Sequence, residues 1–597
     1  MPLLNLKIVN KDMAKQLSNK HMQIEAYRIK FVYLILLAVV CALVWRVMDL
    51  QLNNEFLQGQ GNARVLRQLE VTAHRGMITD RNGYPLAIST PVSSIWVNPK
   101  EFDADNKKIF QFAKLLKLNS QYIKNKVKNR ASKEFVYIKR RINPDLAQRI
   151  LNLDINGVHV QREYRRYYPD GEIFGHVLGF TDVDDNGQEG MELAYNEWLT
   201  GESGTKRVVK DRLGRIIAIE EQIKAPQPGK NLSLSLDRGI QYLAYKALKQ
   251  AVQKHKAKSG SVVVLDIETG EVIAMANQPS FNPNSLEDRK SQLYRNRAIT
   301  DLFEPGSTMK PISIAAALNS GRYSPGTQIE TGDGWFMVDG KTIKDTHAYG
   351  TIDVATVIQK SSNVGTSKIA LNLPKSMLWD IYYSFGFGSD TGSGFPGESS
   401  GRLARPRRIS KIEQVTLSFG YGMSVTNLQL TNAYSIIARQ GKKLPVTFLV
   451  QQNDAQETLA DNASVPKVAL SQRSLKQVSR MMEKVVTQSG TAPLAAVNGY
   501  KVAGKTGTVK KASRSGGYTK KKYSAVFAGF APATDPRLAI VVMIDEPNNG
   551  DYYGGLVAAP AFSTIMSGAL RLYNIDPDDI SHPDIASQIE QSIGRQG

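Results

Sequence analysis

The sequence predicts an α/β (α+β) protein in which one N-terminal membrane helix precedes two folded regions. Three observations support this prediction. An unbroken apolar run lies near the N-terminus, a mixed region rich in turn signals follows it, and the last region has strands at both ends with helices between them. The chain of 597 residues is too long for one compact core, because domains usually span about 150 residues.

The apolar run covers residues 31–45 (FVYLILLAVVCALVW), and its apolar character continues to Met48. A membrane span needs roughly 20 residues, and the Arg46 side chain can extend to the interface, so we predict an anchor over 31–48. Basic residues dominate the segment before it, which places residues 1–30 in the cytoplasm and the rest of the chain outside. A cleaved signal peptide is the alternative, but no A-x-A cleavage site follows the run.

The net charge of +21 indicates an anionic environment or partner. We expect no nucleic-acid partner, because the basic residues are widely spread and no recognition motif accompanies them. Anionic lipid head groups and a carboxylate-rich polymer explain the charge equally well. The single cysteine, Cys41, excludes a disulfide within the chain and a cysteine-based metal site, and the seven histidines show no HExxH spacing.

Composition changes along the chain suggest its domain organisation. We predict a polar, partly helical stalk over 49–70 and a mixed α+β domain over 71–225, where strand-like runs alternate with turns. The sequence PQPG at 226–229 suggests a boundary. An α/β domain is predicted over 226–577, and a tail over 578–597.

The larger domain begins with an alternating strand (NLSLSLD) and a helix-period segment. The sequence SVVVLDIETGEVIAMAN predicts a β-hairpin with a Glu-Thr-Gly turn. The remaining elements are predicted as helices around 307–320, 352–371, 411–440 and 471–488, strands at 500–509, 523–530 and 538–545, and a final helix near 558–573.

Three short motifs carry the candidate chemistry: STMK at 307–310, SSN at 361–363 and KTGT at 505–508. The pattern S-x-x-K also occurs at Ser203 and Ser464, but an apolar helical run follows only Ser307. Residues three apart share a helix face, so Lys310 can reach the Ser307 hydroxyl. Proline is tolerated in the first turn of a helix, so Pro311 indicates that the helix begins close to Ser307.

A serine hydroxyl needs a base to become a nucleophile, and Lys310 can act as that base if burial or a nearby cation lowers its pKa. Lys505 is a candidate second cation. The Ser361 hydroxyl could relay a proton between the two lysines, and the Asn363 amide could orient Lys310 or the substrate.

The KTGT motif lies in a predicted strand, KVAGKTGTV. Gly507 would let another backbone approach closely, so a peptide could add as an extra strand. The Thr506 and Thr508 hydroxyls and the Lys505 charge would then hold the carboxylate of that peptide.

These three motifs together resemble those of class B penicillin-binding proteins, most closely the division-specific FtsI type. The segments 75–83 (RGMITDRNG) and 546–562 (EPNNGDYYGGLVAAPAF) resemble further motifs of that family, as do Arg166 and Glu192. The resemblance implies a penicillin-binding/serine β-lactamase-like transpeptidase domain, with an antiparallel sheet flanked by helices. It also implies a non-catalytic pedestal (penicillin-binding protein dimerisation) domain before it. From the residues alone, the pedestal motifs are turn glycines and candidate buried ion pairs, which favours a scaffolding role.

By resemblance, Ser307 attacks a D-Ala-D-Ala stem peptide of peptidoglycan, the backbone N–H groups of Ser307 and Thr508 form the oxyanion hole, and β-lactams trap the acyl-enzyme. No metal or organic cofactor is implied. The implied location is the inner membrane, with the catalytic domain in the periplasm. A polytopic septal glycosyltransferase and other division proteins are the implied partners.

The sequence leaves several alternative functions open. The chain could be an elongation-type transpeptidase. A D,D-carboxypeptidase or β-lactamase is disfavoured by the anchor, by the preceding domain and by the lack of an assignable deacylating glutamate. A β-lactam sensor or inactive scaffold is disfavoured by the intact set of motifs. A final expectation concerns residues 510–522 (KKASRSGGYTKKK), predicted as a solvated connector or a mobile basic flap at the edge of the cleft.

Overall fold

The computed structural model describes residues 6–52, 66–210, 216–404, 409–451, 466–512 and 518–579. The strands are, in chain order, β1 Leu66–Val71, β2 Ile78–Thr79, β3 Pro85–Val97, β4 Val136–Ile142, β5 Val158–Tyr167, β6 Gly204–Lys210, β7 Ile216–Lys224, β8 Leu232–Ser233, β9 Ser259–Asp266, β10 Val272–Gln278, β11 Gln328–Gly332, β12 Trp335–Val338, β13 Lys341–Lys344, β14 Gly350–Asp353, β15 Ala503–Ala512, β16 Tyr518–Ala531 and β17 Leu538–Asp545.

The α-helices are, in chain order, α1 Leu6–Leu52, α2 Asn106–Leu116, α3 Ser120–Lys128, α4 Pro144–Leu151, α5 Gly175–Leu178, α6 Gly190–Ala194, α7 Asn196–Leu199, α8 Arg238–Lys254, α9 Ser291–Tyr294, α10 Arg297–Thr300, α11 Lys310–Asn319, α12 Val354–Gln359, α13 Asn363–Leu371, α14 Met377–Ser384, α15 Lys411–Ser418, α16 Asn427–Ala438, α17 Gln472–Glu483, α18 Gly554–Val557 and α19 Ala559–Leu572. Short 3-10 helices cover Gly171–Ile173, Gly306–Met309 and Pro493–Ala495.

The chain separates into two compact units, and the first combines Met1–Thr72 with Ser203–Pro226. Within it, the stretch Tyr27–Gln51 of α1 has a mean hydropathy of 2.5 and is long and apolar enough to cross a membrane. Strands β1, β6 and β7 form an antiparallel sheet in that order. The predicted stalk over 49–70 therefore includes the end of a helix and a strand, and its residues 53–65 lie outside the described residues.

The second unit combines Ala73–Glu202 with Gln227–Gly597. Its smaller sheet has the order β4-β3-β2-β8, and β5 pairs with β3. One face of this sheet packs on helices α2, α3 and α4 around a small apolar core that includes Ile95, Phe112, Ile123 and Ile150. Because β8 follows the predicted boundary at 225/226 yet pairs with β2, this sheet uses residues from both sides of that boundary. The boundary itself stays a prediction.

The larger sheet of the second unit has the order β10-β9-β17-β16-β15, and every neighbouring pair is antiparallel. Nearly every residue of β9, β10 and β17 is buried, because helices cover the sheet. Helices α8 and α19 pack on each other and against the sheet, and α16 also contacts it. The antiparallel sheet flanked by helices is confirmed. Strand β15 lies at the edge, which leaves one side of its backbone facing the site described below.

Two predicted helical stretches are each interrupted by a turn. The stretch 352–371 forms α12 and α13, with Ser361 between them at φ +60°, and the stretch 411–440 forms α15 and α16. Gly420 and Gly422, both at φ +80°, break the second stretch. Residues 359–363 (QKSSN) include no apolar residue, and apolar residues occur at every second position from Val415 to Val425, so the helical period is lost at both breaks. The strand predicted from NLSLSLD is only the short β8.

Candidate active site

The STMK motif begins in the 3-10 turn Gly306–Met309, and Lys310 opens α11. Gly306 has φ +56°, and a Cβ atom there would lie 2.4 Å from the Val509 side chain, so the turn requires glycine. Its N–H donates to the Gly420 carbonyl over 3.1 Å. The prediction that the helix begins close to Ser307 is confirmed. The Ser307 side chain is half-buried at the positive end of this helical segment.

The Lys310 side chain is fully buried and reaches the SSN motif. Its Nζ donates to the Ser361 carbonyl over 2.6 Å and to Asn363 Oδ1 over 2.7 Å, and lies 3.3 Å from Ser361 Oγ. Within the described residues, no hydrogen bond joins the Ser307 hydroxyl to this amine. Burial lowers the pKa of Lys310 from 10.5 to about 7. The amine is therefore poised to exchange a proton near neutral pH.

The SSN motif lies in the turn between α12 and α13. Ser361 adopts φ +60°, a conformation that non-glycine residues rarely adopt, and this places its carbonyl and hydroxyl near Lys310. Ser362 caps α13 by accepting a hydrogen bond from the Gly365 N–H. Asn363 opens that helix, and its amide nitrogen donates to the Lys344 carbonyl over 2.9 Å. The amide is thereby oriented with its oxygen toward Lys310.

The KTGT motif lies on the edge strand β15, and its lysine is fully buried. Lys505 Nζ donates to Ser361 Oγ over 2.9 Å and to the Thr506 carbonyl over 3.2 Å. Burial, and secondly the charge of Lys310, holds the pKa of Lys505 well below its ordinary value. Ser361 therefore lies between two buried amines, as the proposed proton relay requires.

The two threonines of the motif already have partners. Thr506 Oγ1 lies 3.0 Å from Thr491 Oγ1, and Thr508 Oγ1 accepts a hydrogen bond from the Gly554 N–H over 3.0 Å. At Gly507, a Cβ atom would lie 3.0 Å from Thr308 and 3.2 Å from the Pro305 carbonyl. The backbone that approaches Gly507 is thus the turn that carries Ser307. The structure brings all eight predicted site residues together.

Two family models match the chain. The penicillin-binding protein transpeptidase domain matches residues 260–567, and the penicillin-binding protein dimerisation domain matches residues 70–234. The chain belongs to the class B penicillin-binding proteins.

Relatives of this class B penicillin-binding protein match it closely along its length. It is 40% identical to the peptidoglycan D,D-transpeptidase FtsI of Escherichia coli, over 99% of this chain and 100% of that one. It is 39% identical to the probable peptidoglycan D,D-transpeptidase PbpC of Pseudomonas aeruginosa, over 92% of this chain and 96% of that one. The transpeptidase domain of penicillin-binding protein 3 from Burkholderia pseudomallei superposes with a TM-score of 0.52 at 42% identity, covering 58% of this chain and 97% of that one.

Asp345 supports the SSN motif of this penicillin-binding protein, and no sequence pattern predicted it. Its carboxylate accepts hydrogen bonds from the Ser362 hydroxyl over 2.5 Å and from the backbone N–H groups of Asn363 and Val364. A carboxylate at a helix N-terminus is stabilising because it faces the positive end of the dipole. The negative charge also raises the pKa of Lys310, against the effect of burial. Asp345 precedes the motif by 16 residues (361−345) and belongs to no local pattern, so only the tertiary structure reveals it.

The pedestal motifs of the penicillin-binding protein form the predicted buried ion pairs. Both oxygens of the fully buried Glu192 carboxylate are engaged, by Arg75 Nε at 2.7 Å and by Arg166 Nε at 2.6 Å. Arg75 also bonds Asn196 and Thr200. These contacts join segments far apart in the sequence and lie away from the catalytic motifs, which supports a scaffolding role.

The basic stretch 510–522 of the penicillin-binding protein is mostly strand, so its prediction as a connector was wrong in extent. Strand β15 continues to Ala512, and β16 begins at Tyr518. Residues 513–517 and the side chains of Lys520 and Lys521 lie outside the described part of the chain. Lys511 and Lys522 each lie 2.8 Å from the Glu546 carboxylate. This pairing weakens any long-range attraction of anions by these two lysines.

Proposed function

We propose that this protein is a serine D,D-transpeptidase that cross-links peptidoglycan stem peptides in the septal cell wall through an acyl-enzyme on Ser307. The observation that carries the proposal is the position of Lys310. Its buried amine has a pKa of about 7 and donates hydrogen bonds to the Ser361 carbonyl and Asn363 Oδ1. The spacing of three residues places Lys310 on the same helix face as Ser307. A base at this position can activate a serine at neutral pH.

The hydrogen bonds of Lys310 suggest how the amine acts. In its neutral form the two N–H groups donate to the Ser361 carbonyl and to Asn363 Oδ1, which leaves the lone pair free. The lone pair accepts the Ser307 proton while Ser307 Oγ bonds to the penultimate D-Ala carbonyl carbon. The backbone N–H groups of Ser307 and Thr508 would stabilise the resulting oxyanion. The protonated amine is favoured by the nearby Asp345 carboxylate.

Collapse of the tetrahedral adduct breaks the C–N bond, and the leaving terminal D-Ala takes a proton on its amine. Ser361 can deliver this proton because its hydroxyl lies 3.3 Å from Lys310 Nζ and 2.9 Å from Lys505 Nζ. An amine from a neighbouring stem peptide then attacks the ester carbonyl and loses its proton to Lys310. The C–O bond to Ser307 breaks, and Lys310 returns the proton to Ser307 Oγ. The new amide is the cross-link. A β-lactam forms the same ester but retains its leaving group, so the enzyme stays acylated.

The edge strand β15 would bind the donor peptide as an additional strand. Its terminal carboxylate would meet Lys505, Thr506 and Thr508, and the negative charge would favour the protonated form of Lys505. Gly507 serves this arrangement by letting the Ser307 turn lie against the strand.

We further propose the domain boundaries inferred from the sequence, with a single span over 31–48, a pedestal over 71–225 and a transpeptidase domain over 226–577. The basic N-terminal segment would lie in the cytoplasm and the catalytic domain in the periplasm. A septal glycosyltransferase and other division proteins would be its partners, and an elongation role is the alternative. Reporter fusions on either side of the span test the orientation. Activity of a C-terminally fused reporter that works only in the cytoplasm would contradict this orientation.

Labelling with a fluorescent penicillin tests the mechanism. The wild-type protein should be labelled on Ser307, as located by mass spectrometry, and Ser307→Ala should not be labelled while its unfolding transition is unchanged. Donor and acceptor stem peptides should then yield a cross-linked product with the wild-type protein. Release of the shortened donor without cross-linking would favour a carboxypeptidase, and an adduct on another residue would refute the assignment of Ser307.

A further inference from the structure

Helices α2 and α3 of the pedestal carry a concentration of positive charge that the catalytic site does not use. Between Asn106 and Lys133 the chain contains eight lysines and one arginine and no acidic residue. Surface charges of one sign repel one another, so such a segment is commonly matched by an anionic partner.

Six of these nine basic residues have no ion pair or side-chain hydrogen bond to any residue that the structure describes, and all six are exposed. They are Lys107, Lys114, Lys117, Lys128, Arg130 and Lys133. The other three have local partners: Lys108 bonds the Asp154 carbonyl, Lys124 bonds Asn106, and Lys126 bonds the Tyr122 hydroxyl. The six are therefore available to an external ligand.

Aromatic rings accompany these charges. Phe110 is 63% exposed, and Tyr122 is 48% exposed with the Lys126 amine above its ring. On α2, Lys107, Phe110 and Lys114 are spaced by three and four residues and therefore share one face of the helix. We use the name basic helix face for the exposed residues Lys107, Phe110, Lys114 and Lys117, together with Lys128 at the end of α3 and Arg130 and Lys133 in the turn after it.

We propose that the basic helix face is a second, non-catalytic binding surface for the peptidoglycan polymer. This inference rests on the proposed function, which makes a polymer of sugar rings and carboxylate-bearing peptides the substrate. The six cations complement the stem-peptide carboxylates, and the exposed rings offer apolar faces to the C–H faces of the sugars. The surface would hold existing wall material near the enzyme, in the manner of a second binding module.

An anionic lipid bilayer is the main alternative partner, and the packing of α2 disfavours it. Helices that bind at a membrane interface insert their apolar face among the lipids. In α2 that face, with Ile109, Phe112 and Leu116, is buried in the core of the pedestal. Only the polar face with its isolated phenyl ring is presented outward, which suits a hydrated polymer better than an acyl-chain boundary.

Co-sedimentation with purified insoluble peptidoglycan tests the proposal. The full chain is placed in phosphatidylcholine nanodiscs and first acylated with penicillin, so that the catalytic cleft is blocked. Replacing Lys107, Lys114 and Lys117 with glutamine should weaken binding about fivefold or more at 0.1 M salt, since each exposed charge pair contributes modestly. The difference should shrink at 1 M salt, where the Debye length is about 3 Å instead of about 10 Å. Phe110→Ala should weaken binding at both salt concentrations.

The matched control replaces three exposed lysines elsewhere, Lys254, Lys375 and Lys476, with glutamine, and it should bind like the wild-type protein. Equal losses in the two triple variants would overturn the proposal, because net charge alone would then explain binding. Vesicles of phosphatidylglycerol form the second probe. If replacing Lys107, Lys114 and Lys117 weakens binding to these vesicles, whether or not binding to peptidoglycan also weakens, a peptidoglycan-specific surface would be refuted. Failure of the proposed function would appear earlier, as absent penicillin labelling on Ser307.

Discussion

The Lys505 amine donates a 2.9 Å hydrogen bond to the Ser361 hydroxyl, although the two residues are 144 positions apart (505−361). The same hydroxyl lies 3.3 Å from the Lys310 amine, so one serine bridges two buried lysines. This bridge joins the three motifs into one unit.

Removing the Ser361 hydroxyl should slow acylation by a β-lactam about 100-fold, because the two amines lose the group that can pass a proton between them. Ser361→Gly is the informative variant, since glycine adopts φ +60° without strain, whereas Ser361→Ala keeps the strain that the wild-type serine already carries. Stopped-flow acylation rates should fall alike in both variants, while the glycine variant should be the more stable of the two. A glycine variant with the wild-type rate would eliminate the relay.

Acylation should depend on pH with a midpoint of about 7, because only the neutral Lys310 amine can accept the Ser307 proton. The sign follows from the lowered pKa: below about pH 7 the amine is protonated and the rate falls, and above it the rate reaches a plateau. The measurement is the acylation rate between pH 5 and 9 with a β-lactam whose own charge is constant. A rate independent of pH over this range would exclude Lys310 as the base.

Asp345→Asn should move this midpoint to lower pH, by roughly one unit or less, because the negative charge that favours protonated Lys310 is lost. The control is Asp353→Asn, which alters a comparable carboxylate at the start of α12, where Asp353 bonds the Thr356 N–H. This control should leave the midpoint unchanged. Both variants should lose at most about 1 kcal/mol of stability, since asparagine also accepts backbone hydrogen bonds at a helix start. A shift of equal size in the control would contradict an electrostatic role for Asp345.

Thr508→Val should reduce acylation by carboxylate-bearing β-lactams about tenfold or more, the effect of one hydrogen bond to a charged group. The variant also removes the acceptor for the Gly554 N–H, so some loss should extend to every ligand. Thr508→Ser keeps the hydroxyl and should restore both. Comparing each β-lactam with its neutral ester or amide separates the two effects. Equal losses for charged and neutral ligands would refute carboxylate binding by Thr508.

Glu192→Gln should destabilise the protein by about 3–5 kcal/mol, because the buried guanidinium groups of Arg75 and Arg166 lose their shared negative charge. Glu268→Gln breaks the partly exposed pair with Arg537 and should cost at most about 1 kcal/mol. Denaturant unfolding measures the loss of stability in each of the two variants. The folded Glu192→Gln protein should still be acylated at the wild-type rate, and a slower rate would indicate that the pedestal influences the catalytic site.

The sequence by itself determined the features that depend on neighbouring residues. Helix periodicity places Ser307 and Lys310 on one helix face, and Pro311 marks where that helix begins. The hairpin of β9 and β10 and the length of the apolar run are local in the same sense. The order of the three motifs identified the family because the chemistry needs those residue types together.

Only the tertiary structure decided the features that depend on distant contacts. Burial, which sets the pKa of Lys310, arises from packing of the whole domain, and Asp345 reaches the SSN motif from a separate segment. The positive φ of Ser361 places its carbonyl and hydroxyl beside Lys310, and Glu546, which follows β17, pairs with Lys511 and Lys522. Periodicity and spacing predict which face of an element is buried, but the tertiary fold determines which residues pack against that face.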